Sequence, residues 1–155
     1  MMNTDDQLAV LQCVAAMGAF ADARDWNSLV GLFSETVRVD YSSLFGGEAE
    51  ELSADTLMAR WRGLLPGFSR TQHTVGIPML RLEGDVIVAD APFVAWHFID
   101  SSDTQRPWIV GGRYEWRLQV AHGNASIRAL TLKSGWQDGD TSLVQLAALQ
   151  AKRKR

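Results

Sequence analysis

Three ionisable side chains could carry chemistry: Asp22 on an apolar helical stripe, His73 on a strand-like segment and His97 among apolar neighbours on another. Asp22 continues a stripe that runs Leu8, Leu11, Ala15, Gly18, the spacing of one helical face. A carboxylate in an apolar interior normally protonates, pairs or accepts hydrogen bonds. Asp22 therefore either pairs locally, for example with Arg24, or faces a pocket and holds a histidine. His73 falls in Thr71-Gln72-His73-Thr74 and His97 in Ala95-Trp96-His97-Phe98, both strand-like segments. Either histidine alone reads as a satisfied core residue. Two of them on one sheet, opposite a buried aspartate, read as an acid–base set. Tyr41 alternates with Val37 and Val39, so its hydroxyl points inward and needs a partner. Tyr114 alternates in phase with Trp116 and Leu118 and makes the same case. Asp40 alternates away from Tyr41 and reads as a surface carboxylate near Arg38, while His122 lies in a turn open to solvent.

Proton transfer is the chemistry these groups offer. The sequence has no phosphate-cradling glycine loop, no Walker-type motif and no nucleophile elbow. None of its three histidines has a partner at helical metal-ligand spacing, so neither a metal nor a cofactor is expected. A net charge of −3 gives no general attraction to nucleic acid or to an anionic membrane. The basic run Lys152-Arg153-Lys154-Arg155 reads as a solvated complement to the end of a C-terminal helix. The single cysteine, Cys13, excludes an internal disulfide and reads as a small buried hydrophobe. No apolar run approaches the roughly 18–20 residues of a membrane span, and a cytoplasmic location is the expectation.

The elements that must position these groups follow one another as helices first and strands afterwards, which points to α+β. At 155 residues the chain fits one domain, residues 1–155, with a core over about 6–140 and a helix and basic tail over 141–155. Thr4 and Gln7 fit a capping box that opens the first helix. Asp25 caps a second short helix carrying Leu29, Val30 and Phe33, and residues 37–41 form a strand. Ser53 or Asp55 caps a third helix, whose apolar face is Leu57, Met58, Trp61, Leu64 and Leu65, ended by Pro66-Gly67. Strands follow over 72–75, 79–82, 86–99, 108–120 and 127–132, with Pro92 marking a bulge, bend or edge and Ser101 to Pro107 a polar loop. His122-Gly123-Asn124 reads as a hairpin turn, and Thr141 as the cap of a last helix. Helices wrapped on a curved antiparallel sheet make a cone with one central pocket. Six tryptophans suit either the walls of such a pocket or a core.

In order and spacing, Phe20-Ala21-Asp22-Ala23-Arg24-Asp25-Trp26, Val39-Asp40-Tyr41-Ser42-Ser43, Thr71-Gln72-His73 and the strand with His97 resemble scytalone dehydratase and the SnoaL-like group of the nuclear transport factor 2-like superfamily. The resemblance runs from about residue 6 to residue 140. It implies that Asp22 orients a catalytic His97, that His73 is the second catalytic histidine, and that Tyr41 polarises a carbonyl through water. Tyr114, Leu44, Met17 and Trp61 are the expected substrate-contacting residues. Ala21 stands where the dehydratase carries a second active-site tyrosine, and its serine and asparagine have no evident counterparts between Gly112 and Leu118. Ketosteroid isomerase, in the same superfamily, uses a strand carboxylate as base; here Tyr41 rather than Asp40 falls at that position, which argues against its mechanism.

The expected activity is a cofactor-independent elimination of water from a small cyclic β-hydroxy carbonyl compound. His73 would take the α-proton, a His97–Asp22 pair would protonate the leaving hydroxyl, and Tyr41 would stabilise the enolate. A SnoaL-like cyclase, isomerase or hydrolase and a non-catalytic binding module are the alternatives. The expected partners are a small-molecule substrate and further copies of the chain, as trimer or dimer, through an outer sheet face bearing Val88, Val94 and Trp96 or their out-of-phase neighbours.

Overall fold

The computed structural model describes residues 2–100 and 106–154. The loop expected over 101–107 is thereby described only at Arg106 and Pro107, and Arg155 of the basic tail also lies outside the described residues. Among the described residues there are five α-helices, α1 (Thr4–Ala23), α2 (Trp26–Val30), α3 (Ser42–Phe45), α4 (Ala54–Arg62) and α5 (Leu143–Arg153). Seven strands, β1 (Phe33–Asp40), β2 (Glu50–Ser53), β3 (Arg70–Val75), β4 (Met79–Glu83), β5 (Val86–Phe98), β6 (Trp108–Ala121) and β7 (Asn124–Gly139), form one curved sheet. Its order is β2-β1-β7-β6-β5-β3, with β4 also paired to β5. Every pairing is antiparallel except β1 with β7, which is parallel and corrects the expectation of a wholly antiparallel sheet. The parallel pair arises because β1 enters from α2 and leaves into α3, so no hairpin ties it to β7.

Local chemistry accounts for most boundaries. Asn3, not Thr4, caps α1, its side chain accepting from the Asp6 N–H at 2.8 Å. Asp25 caps α2 through the Ser28 N–H, and Ser53 caps α4 through the Thr56 N–H. Helix α2 stops at Val30, so Phe33 belongs to β1 and not to the second helix. His122 and Gly123 both have positive φ, 52° and 76°, and make the two-residue turn that pairs Ala121 with Asn124. The last strand extends well past residue 132, to Gly139. Irregularities at Gly111/Gly112 and Arg117/Leu118 in the β6–β7 ladder bend the sheet into a cone. Pro92 sits where the neighbour of β5 changes from β3 to β4; its carbonyl accepts from Gly76, so the missing N–H faces that junction and breaks no ladder bond.

The core fills the concave face of the sheet. Helix α1 packs on β3, β6 and β7 with Val10, Cys13, Val14, Met17, Gly18 and Ala21 buried. This is not the expected stripe, since Leu8 is 53% exposed and Ala15 is also exposed. Cys13 is buried, and burial raises its thiol pKa to about 11, so it behaves as a small hydrophobe. The convex face carries ion pairs between Arg113 and Asp90, Arg117 and Glu83, and Arg81 and Glu83. Val88 is fully buried within the chain, so of the expected interface residues only Val94 and Trp96 are partly open.

Helix α5 starts at Leu143, with Asp140 rather than Thr141 accepting from the Ser142 N–H and hydroxyl. It buries Leu143, Ala147 and Ala151 against the turn Leu65–Gly67, and Lys154 donates to the Pro66 carbonyl. A Cβ on Gly67 would fall 1.7 Å from the Ala147 carbonyl oxygen, so only glycine allows this approach. Gly67→Ala is expected to lower the unfolding free energy by about 2–4 kcal/mol, read from the shift of the urea midpoint.

Candidate active site

The geometry of the site starts from a close approach of helix and strand. A Cβ added to Gly18 would come within 3.1 Å of the His73 Cβ, so the glycine lets α1 lie directly on β3. One turn later Asp22 reaches over the same strand. Its Oδ1 is 2.7 Å from His73 Nδ1 and accepts from the Thr71 hydroxyl at 2.9 Å, while Oδ2 accepts from the His73 backbone N–H at 2.8 Å. Because β3 ends the sheet, that backbone N–H faces no neighbouring strand and is free to meet a side chain. Burial works against the Asp22 charge, but the hydrogen bonds and charge of His73 and the Thr71 hydroxyl outweigh it and hold the carboxyl below its usual range. The carboxylate only accepts, so neutral His73 carries its proton on Nδ1 and presents Nε2 as a free lone pair.

Asp22 thus holds His73 and not His97, which corrects the expected His97–Asp22 pair. The register explains the difference. His97 pairs across the ladder with Thr71 and stands one strand further in, on β5, beyond the reach of α1. Its Nδ1 lies 3.1 Å from the Trp108 carbonyl, which can only accept. The ring is therefore held as the Nδ1–H tautomer with Nε2 as an acceptor, packed against Trp108 and Phe68 at centroid distances of 4.3 and 4.9 Å. The two imidazoles meet edge to face, 5.8 Å apart at an interplanar angle of 84°. Burial pushes the His97 pKa down to about 3, with His73 adding to the shift. A neutral ring with its one proton on a carbonyl is no general acid.

These groups open on a cavity of about 320 Å³. Met17, Tyr41, Leu44, Trp61 and Tyr114 line it together with both histidines, so the expected catalytic and substrate-contacting side chains converge on one space, Asp22 standing behind His73. Tyr41 lies just past the end of β1, and its phenol lines the cavity together with that of Tyr114 on β6, the two close enough to influence each other's titration. Burial raises both phenols well above their usual range, so both stay protonated. A protonated phenol carries one hydrogen, so this pair of side chains can donate to a group bound in the cavity. Ala21 also lines the cavity and contributes only a methyl group. Tyr114 supplies from the sheet a second hydroxyl that α1 does not. Asp40 faces away, its carboxylate accepting from the Ser42 N–H and hydroxyl at 3.0 and 2.6 Å rather than pairing with Arg38. His122 is an exposed turn residue. Thr71, a partner of Asp22, is a neighbour the residue pattern also offers: it is two residues from His73 and so on the same strand face. Among the described residues no three or more His, Cys, Asp or Glu side chains cluster as a metal site, and no helix is long and apolar enough to cross a membrane.

A helix-wrapped conical sheet around one cavity is the fold of the nuclear transport factor 2-like superfamily. Within it, residues 2–131 match the SnoaL-like domain model, and the chain belongs to that family. No curated protein matches the sequence. Among solved structures, the Kfla4162 protein of Kribbella flavida superposes with a TM-score of 0.80 at 17% identity, over 95% of this chain and 97% of that one. A candidate scytalone dehydratase of Novosphingobium aromaticivorans gives 0.73 at 16% identity, over 87% of each chain. The hexachlorocyclohexane dehydrochlorinase LinA-type3 of Novosphingobium barchaimii gives 0.72 at 8% identity, over 87% of this chain and 90% of that one. At these identities the likeness establishes the fold.

His97 makes stability depend on pH with a definite sign. The unfolded ring takes up a proton near 6.5 and the folded ring only near 3, so between these values the unfolded state binds more protons. Stability therefore falls as the pH is lowered from about 6.5 towards 3. His97→Gln removes this linkage. Between about pH 7 and pH 4, the wild-type unfolding free energy is expected to drop by roughly 2–3 kcal/mol more than that of the variant, measured by urea titration at each pH.

Proposed function

We propose that this chain is a cofactor-independent lyase that eliminates water from a small cyclic β-hydroxy carbonyl compound. The observation that carries the reading is the Asp22–His73 pair, opening on a mostly apolar cavity that also holds the Tyr41–Tyr114 hydroxyls. A phenol hydrogen of Tyr41 or Tyr114 would be donated to the substrate carbonyl and stabilise the charge that develops as the enolate forms. His73 Nε2 would remove the α-proton, and Asp22 would stabilise the resulting imidazolium. With His97 held as an acceptor, the imidazolium of His73 is the group that returns the proton to the leaving hydroxyl. The C–H and C–O bonds break, the C=C bond forms, and the proton leaves with hydroxide as water. His97 Nε2 would accept a hydrogen bond from a substrate hydroxyl and so orient it.

The printed names of two structural neighbours, a candidate scytalone dehydratase and a dehydrochlorinase, support an elimination. The apolar walls and the cavity of about 320 Å³ favour a compact ring system over a long chain. We propose, too, that copies of the chain associate as a trimer or dimer, the partly open Val94 and Trp96 contributing to the contact.

A panel of cyclic β-hydroxy ketones, followed by product mass, tests the reaction. Loss of one water is expected, with kcat reduced about 10²-fold or more in Asp22→Asn and His73→Gln while both variants keep the native circular dichroism. Products of unchanged mass would mean isomerisation or cyclisation. Loss of a hydrogen halide from halogenated rings, with no dehydration, would move the reading to dehydrohalogenation. Unchanged turnover in Asp22→Asn would remove the pair from the mechanism.

A further inference from the structure

Behind Asp22 lies a second layer that the proton chemistry does not itself require. Arg24 is the C-cap of α1, in the left-handed region at φ 58°, and this turns its side chain back beneath the helix end. Its guanidinium is spread over three acceptors. Nη1 donates to the Ala21 carbonyl and to Thr71 Oγ1, each at 2.8 Å, and Nη2 donates to the Leu65 carbonyl at 2.8 Å. Three separate segments are thereby tied together: the end of α1, the start of β3 and the turn Leu65–Gly67.

The hydroxyl of Thr71 carries one hydrogen. Since Oγ1 accepts from Arg24, that hydrogen is directed at its other neighbour, Asp22 Oδ1, 2.9 Å away. Thr71 is itself only 9% exposed, so water does not compete easily for either bond. The Asp22 carboxylate then has every partner fixed. Thr71 and His73 Nδ1 share Oδ1, and the His73 N–H holds Oδ2.

An arginine fork placed directly on Asp22 would occupy both carboxylate oxygens and displace His73. With threonine interposed, the cation lies one hydrogen bond away. It offsets the buried negative charge while leaving Oδ1 open to the imidazole. Burial lowers the Arg24 pKa and the charge of Asp22 raises it again, which fits a cation retained for its neighbour.

Resting on the reading of His73 as the base, we infer that Arg24 and Thr71 are positioning residues that fix the orientation of the Asp22 carboxylate and, through it, the tautomer and aim of His73. The relay runs from Arg24 to Thr71 to Asp22 to His73, and neither of the first two touches the cavity.

The test reads the imidazole directly and needs no substrate. In protein labelled with ¹⁵N at histidine, the wild type is expected to show a far-downfield Nδ1 proton for His73, hydrogen-bonded to the carboxylate and slow to exchange. Thr71→Val, which keeps the shape and removes the hydroxyl, should shift this proton upfield or broaden it by exchange. Thr71→Ser should restore it. Arg24→Lys, which keeps the charge but not the three-way fork, should weaken it with Thr71 still in place, so each variant tests the relay independently of the other. With an active substrate, kcat should fall about tenfold in Thr71→Val and Arg24→Lys while KM stays within about twofold, the pattern of a misaimed base. A wild-type Nδ1 resonance in either folded variant, Thr71→Val or Arg24→Lys, overturns the inference. The expected resonance changes without dehydration of any compound would instead count against the lyase reading and leave the relay standing.

Discussion

An ionised carboxylate half-buried between a helix and a sheet has to be surrounded by donors, and much of this structure is arranged around that requirement. Asp22 obtains its donors from one strand, two side chains and a backbone N–H of β3. This is possible because β3 is the last strand of the sheet and has an unpaired edge, which α1 covers in place of another strand. It is possible also because Gly18 brings helix and strand backbones close enough for a short aspartate to span the gap. A glutamate, or a larger residue at position 18, would alter the reach. The orientation of His73 is thus set by how α1 seats on the sheet, not by a loop.

The cavity divides its work between walls and fixed polar groups. Its mostly apolar walls make a surrounding of low polarity, which strengthens the hydrogen bonds inside. The two imidazoles have contrasting surroundings. His73 has a carboxylate at its back, whereas His97 has a backbone carbonyl and two aromatic faces, and burial keeps it neutral. Two residues of one type in a single pocket are in this way held differently, His73 by a charged partner and His97 by a neutral one.

The elements and the polar groups of the site were largely legible in the sequence, because alternation and turn chemistry are local. Tyr114, Trp116 and Leu118 are buried as their alternation implies, and Ser53 and Asp25 cap the helices they precede. The buried face of α1 was less legible. That helix is apolar on nearly every side, so spacing alone could not tell the stripe of Leu8 and Ala15 from that of Val10, Val14 and Met17; the two converge at Gly18, which is why Asp22 was still found. Which histidine Asp22 holds depends on strand register and helix seating, and neither is written in local spacing. The parallel pairing of β1 with β7 was hidden for the same reason, being a contact between residues far apart in the chain. The Arg24–Thr71 link was half visible: the strand face of Thr71 could be read, but the left-handed turn that swings Arg24 beneath it could not.

The same parallel pairing has a consequence for how the protein comes into being. β1 joins β7 across an intervening stretch that contains every other strand of the sheet, so the cone closes only when the last strand has been made. On a ribosome, α1 emerges before the strands and must wait, with apolar residues on most of its surface, for the seat it will occupy on β3, β6 and β7. Contacts of such long sequence separation form late and slowly. A nascent or truncated chain ending before β7 would lack the partner of β1 and much of the surface that receives α1, and its hydrophobic helix would be a natural target for chaperones.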